Sequence, residues 1–218
     1  MLPEKIRKGE PGRWLIALAL AIPTLIAIFA ENKLFVLVLV FLVGAFAWWE
    51  YSANLLGRNR TGLFLISLLG WAAVSVGTTF AGPEGQAAGL VFALVLGGFY
   101  LMWILNGEDK IALNLIARYG FGHLYLSFFL SFALLIKTFD RGANFLFFVI
   151  LATSLADTGA IYAGSRLKGP KLCPKISPNK TISGLLGGCA LAAITGALSK
   201  YYLPDEFSMG ELTLVGLG

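Results

Sequence analysis

Histidine occurs once and cysteine twice in these 218 residues, and charged side chains make up only 13% of them. Cys173, in a basic stretch, and Cys189, in an apolar run, supply neither a disulfide framework nor the paired spacing of a zinc site. His123 lies beside Gly120 and Gly122 near the start of an apolar run, where a lone histidine reads as a hydrogen-bonded packing residue. A charged fraction this far below the soluble average of about 25% excludes an ordinary water-soluble domain. No stretch between the apolar runs is long enough for such a domain, and neither an internal repeat nor a low-complexity tract stands out. The basic start is not followed by a convincing small-residue cleavage site, so the first apolar run reads as a retained helix.

What fills the chain is hydrocarbon, with 57% hydrophobic residues and a mean hydropathy of +0.78. A membrane-crossing helix takes roughly 20 mostly apolar residues. Runs near that length occupy residues 14–30, 34–51, 62–80, 86–105, 121–136, 143–164 and 183–203. The run 212–218 is too short to cross and reads as a truncated helix, the start of an eighth in a longer protein. The expected fold is all-α, a polytopic membrane helix bundle with at least seven transmembrane helices, forming a single membrane domain over 1–218.

Lysine and arginine outnumber aspartate and glutamate 17 to 12. With a cytoplasmic N-terminus, Lys5, Arg7, Lys8, Arg13, Arg58, Arg60, Lys110, Arg118, Arg166, Lys168, Lys171, Lys175 and Lys180 fall inside. Only Lys33, Lys137, Arg141 and Lys200 fall outside. That asymmetry follows the positive-inside rule and accounts for the basic balance without nucleic acid. Glu50, after Trp48 and Trp49, reads as an interfacial anchor. Trp14, Trp71 and Trp103 read as interface or packing residues, and Asn106, Glu108 and Asp109 as a solvated loop.

Two inside segments are longer than a turn. Residues 106–120 carry mixed charge with interfacial helical character. Residues 165–182 are rich in Lys, Pro and Gly and cannot continue as helix. Within the second, Ser177-Pro178 predicts a turn that aims Asn179, Lys180 and Thr181 together.

Asp157 is expected about seven residues, roughly 10 Å, before the cytoplasmic end of its helix. A carboxylate at that depth costs several kcal/mol unless it meets water, a cation or a metal. Small neighbours, Gly159 and Gly164 among them, permit close approach of another backbone. The loop that follows adds Arg166, Lys168, Lys171, Lys175 and Lys180, with Ser177 and Thr181 as hydroxyls, a donor set suited to polyphosphate. Each half has a plainer reading: the acid pairing with another helix, the lysines anchoring the loop to anionic lipid. Together they argue for Mg²⁺-phosphate chemistry, because a carboxylate beside bound phosphate needs a cation between them.

Asp157-Thr158-Gly159-Ala160, Gly164, Lys171-Leu172, Pro174-Lys175, Ser177-Pro178, Lys180-Thr181, Gly184 and Gly187-Gly188 resemble, in that order, the phosphatidate cytidylyltransferase family, the CDP-diacylglycerol synthases. Glu50-Tyr51 resembles a weaker feature of that family. The resemblance implies an integral membrane enzyme, a nucleotidyltransferase of phospholipid biosynthesis, that joins CTP to phosphatidate with Mg²⁺ and releases pyrophosphate. It implies Asp157 as metal ligand, with Asp157 and Lys180 catalytic. Lys171, Lys175, Ser177, Asn179 and Thr181 would bind substrate, and Gly159 and Gly164 would let backbone come close. The expected partners are CTP, phosphatidate and membrane lipid, with a homodimer left open. The expected location is the bacterial inner membrane, with the site facing the cytoplasm.

Two departures stand out. Ser183 occupies a place where many members carry an acid before the glycine, and the family's C-terminal aspartate and His-Gly-Gly motif has no counterpart up to Gly218. The alternatives are a CTP-dependent transferase acting on an isoprenoid or ether lipid, and a non-catalytic transporter or scaffold. Transporters often show two related halves with interrupted helices, and only one such region stands out here.

Overall fold

A computed structural model describes residues 11–56, 60–105, 109–175, 177–203 and 209–217. Lys5, Arg7, Lys8, Arg58, Asn106 and Glu108 lie outside the described residues. The chain divides into two compact units, Met1–Asp140 and Arg141–Gly218.

In the first unit, α1 (Pro11–Phe29), α2 (Leu34–Tyr51), α3 (Arg60–Leu105), α4 (Asp109–Gly122) and α5 (Phe129–Thr138) follow one another. Hydrocarbon offers the backbone no hydrogen-bond partner, so long apolar runs satisfy themselves as helix. As one straight rod α3 would measure about 70 Å, twice the need of a bilayer. It is not one rod. Gly82 takes φ 62° and ψ −142°, which only glycine adopts without strain, and Pro83 follows. The two arms fold back together: Gly77 packs on the backbone of Gly85, and Gly89 on that of Ala73 and Val74.

Polar side chains inside this unit are tied to one another or to backbone. His123 is fully buried, with Nδ1 3.0 Å from Ser127 Oγ, which also receives the Trp48 indole N–H at 3.0 Å. That is the packing role expected of it. Lys137 donates to the carbonyls of Ile28 (2.6 Å) and Ala30 (2.9 Å), capping α1, while Lys33 donates to Thr79 O (2.9 Å). Lys33 and Lys137, both expected outside, therefore stand at one end of the unit.

The second unit consists of α6 (Gly142–Leu167), a two-stranded antiparallel hairpin of β1 (Lys171–Cys173) and β2 (Ser177–Thr181), α7 (Ile182–Ser199) and α8 (Met209–Leu217). Phe148, Ala152 and Leu203 form a small buried cluster joined by Phe145 and Tyr202, and Asn144 Nδ2 donates to Tyr202 O at 2.8 Å.

The expectation of at least seven spans becomes, among the described residues, five helices long and apolar enough to cross: Leu34–Asn54, Thr61–Ile104, Leu113–Thr138, Gly142–Leu167 and Ile182–Ser199. This is an all-α membrane protein carrying one small β-hairpin. Part of the difference is α3, where two expected runs form one folded stretch. Residues 109–120, expected as an inside segment, are helical and continue through a π-helical stretch, His123–Phe128, into α5.

Candidate active site

Every residue singled out for chemistry lies in the second unit. α6 and α7 run antiparallel and approach closely because their facing positions lack side chains. A Cβ on Gly159 would stand 2.5 Å from Gly187 O, and one on Gly188 would stand 3.0 Å from Ala156 O. The backbone that Gly159 admits is that of α7. Gly164, nearer the end of α6, lies against Thr181 Oγ1 and the Cα of Gly184.

Asp157 flanks that seam: two residues before Gly159, it sits about 200° round the helix from it, and it is exposed in the protein. Its carboxylate has no hydrogen bond or ion pair among the described residues. The helix runs to Leu167, three residues beyond the expected end, because nothing breaks it before Gly169-Pro170. Asp157 is thus ten residues, about 15 Å, from that end. It shares a stripe with Gly164, two turns on, so it lies about 10 Å along α6 from the base of the hairpin.

At Lys168 the backbone turns left-handed (φ 45°, ψ 43°) and leaves the helix. Pro170, Pro174 and Pro178 then exclude helix from the segment. The turn expected at Ser177-Pro178 is instead strand β2, and the reversal falls at residues 174–175. The pairing of β2 with β1 is irregular, and the expected trio is split: Thr181 is buried while Asn179 and Lys180 are exposed. Lys171 pairs across the hairpin with Thr181, and Lys175 sits at the reversal. Lys168, Lys171, Lys175 and Lys180 are exposed and have no anionic partner among the described residues, whereas Arg166 stacks over Tyr162 at 5.3 Å.

Thr181 behaves differently from its neighbours. It is buried, at 8% exposure, and its Oγ1 caps α7 by accepting from Gly184 N at 3.1 Å. Ser183 Oγ donates to the same oxygen (3.2 Å) and accepts from Gly169 N (3.1 Å), while Ile182 N donates to Pro170 O at 2.9 Å. Ser183, where many family members carry an acid, clasps the two ends of the basic segment. The legible signal was a Thr-x-Ser pair at a helix start. Ser183→Ala is expected to lower stability by about 1 kcal/mol, one neutral hydrogen bond, and Ser183→Thr to recover most of it, read by thermal unfolding.

No group of three His, Cys, Asp or Glu side chains occurs among the described residues. A lone unpartnered carboxylate still fits Mg²⁺, which binds through one or two carboxylates and completes its shell with water and substrate phosphate. The acid on α6 thus lies about 10 Å along the helix from the base of a hairpin whose lysines have no anionic partner among the described residues.

Residues 12–218 match the cytidylyltransferase family. The chain belongs to that family. Among cytidylyltransferases it is 31% identical to the phosphatidate cytidylyltransferase of Aquifex aeolicus strain VF5, over 97% of this chain and 75% of that protein. It is 43% identical to the phosphatidate cytidylyltransferase of Brucella melitensis over 70% of this chain, and 33% identical to that of Staphylococcus aureus strain COL over 63%. These alignments span 45% and 51% of the two relatives, so the chain matches about half their length.

Proposed function

We propose that this cytidylyltransferase joins CTP to phosphatidate, forming CDP-diacylglycerol and pyrophosphate in phospholipid synthesis. The observation that carries the reading is the pairing of an unpartnered intramembrane carboxylate, Asp157, with a hairpin whose lysines lack protein counter-charges. The lipid phosphate oxygen attacks the α-phosphorus of CTP, the bond to the bridging oxygen breaks, and pyrophosphate leaves. Such a transfer needs positioning and charge neutralisation more than covalent help.

Lys171, Lys175 and Lys180 bring ammonium groups to the phosphates and relieve the repulsion between two anions that must meet. Ser177 and Asn179, on the same strand as Lys180, donate neutral hydrogen bonds that orient the triphosphate. Thr181, held as the α7 cap, fixes where that strand ends. Asp157 would hold Mg²⁺, which would draw charge from the phosphate oxygens. Acyl chains stay in hydrocarbon while the headgroup enters.

The chain has a cytoplasmic N-terminus, crosses the bacterial inner membrane at least seven times and opens its site to the cytoplasm. The folded-back arms of α3 and the placement of Lys33 and Lys137 at one end of the first unit support this topology. The test is CTP-dependent lipid product formation by the purified chain in bilayers, with mass spectrometry of the product. CDP-diacylglycerol is expected; a product formed only from an isoprenoid or ether lipid, or none, would overturn the reading. Lys180→Ala is expected to lower kcat/KM for CTP by about tenfold or more, the factor for one charged hydrogen bond.

A further inference from the structure

Asp157 is not alone on its face of α6. Side chains in a helix lean toward its N-terminus, so the carboxylate stands over the residues three and four positions before it, Ser154 and Thr153. Both are exposed, as Asp157 is. Their hydroxyl hydrogens are already committed: Thr153 Oγ1 donates to Val149 O (2.8 Å) and Ile150 O (3.1 Å), and Ser154 Oγ donates to Ile150 O (2.7 Å). The next hydroxyl along, Thr158, donates to Ser154 O at 2.8 Å.

No nearby hydroxyl therefore gives a hydrogen to the carboxylate. What faces outward is a carboxylate, an acceptor only, beside two hydroxyl oxygens with lone pairs to offer. An all-acceptor patch on an apolar helix needs a ligand made of positive charge and donors. Phosphate is the wrong partner for it. The basic hairpin, all donors, is the complementary half.

We infer that Thr153 and Ser154 complete, with Asp157, an oxygen site for a hydrated divalent cation, the two hydroxyl oxygens accepting from its water shell or joining it directly. This rests on the proposed reading of Asp157 and adds two positioning residues to it. Outer partners of a metal typically contribute about ten- to a hundredfold in affinity.

The test uses the full chain in lipid and Mn²⁺ as the probe, with free Mn²⁺ counted by its electron paramagnetic resonance signal. Wild type is expected to bind. Thr153→Val and Ser154→Ala are expected to weaken Mn²⁺ binding about tenfold, with thermal unfolding little changed, and Thr153→Ser to bind as wild type does. If Asp157→Asn abolishes binding while both hydroxyl variants bind normally, the inference falls and the role of Asp157 stands. If wild type binds no Mn²⁺, both fall. A chain that binds Mn²⁺ as described but makes no CDP-diacylglycerol upholds the site and overturns the proposed reaction.

Discussion

Asp157→Asn is expected to reduce CDP-diacylglycerol formation by about a hundredfold or more, the several kcal/mol that charge stabilisation by a bound metal supplies, without unfolding the protein. The carboxylate makes no bond to any described residue, so the folded chain loses no partner when its charge is removed. If anything, a neutral amide in an apolar helix is easier to bury. A carboxylate holding a helix bundle together would behave in the opposite way, with stability falling and activity per folded molecule persisting. Product formation and thermal unfolding measured on the same preparation separate the two. Turnover within about threefold of wild type, a difference of less than 1 kcal/mol, would remove Asp157 from the site.

Gly159→Leu should have the largest effect on the fold, a loss of about 4 kcal/mol or more, beyond the usual range for overpacking because backbone must move. The added side chain would meet Gly187 O at 2.5 Å, and the carbonyl carbon of Gly187 and Leu191 Cδ1 at 3.0 Å. The first two are backbone and cannot rotate away. Lipid surrounding the pair is as apolar as the helices, so close packing rather than hydrophobic exclusion holds α6 to α7. Gly159→Ala is expected to cost about 1–3 kcal/mol. The hairpin base rests on the same seam, through Gly164 and Gly184, so activity should fall with stability. Thermal unfolding in detergent gives the first measure and specific activity of the folded fraction the second. A Leu variant that melts with wild type would mean the seam can open.

The local composition of the chain marked the basic segment correctly as a non-helical break, since three prolines exclude helix whatever surrounds them. It did not distinguish turn from strand at Ser177-Pro178. That choice depends on Lys171 pairing with Thr181, ten residues away. The same holds for Thr181, which reads as an outward hydroxyl until its oxygen is seen to cap α7. The interfacial helical character read for residues 106–120 is present as Asp109–Gly122, but its continuation into the π-helical stretch, where Trp48 and His123 meet at Ser127, is not marked in the charge pattern.

The sequence by itself determined that this chain is built of membrane helices and that an acid precedes a cluster of lysines, because hydropathy and charge act over a few residues and need no partner to be read. Only the tertiary structure decided which way Asp157 faces, which glycines serve helix packing, and that Ser183 ties off the basic hairpin. Those outcomes depend on how closely α6 and α7 approach, a distance set jointly by side chains far apart along the chain.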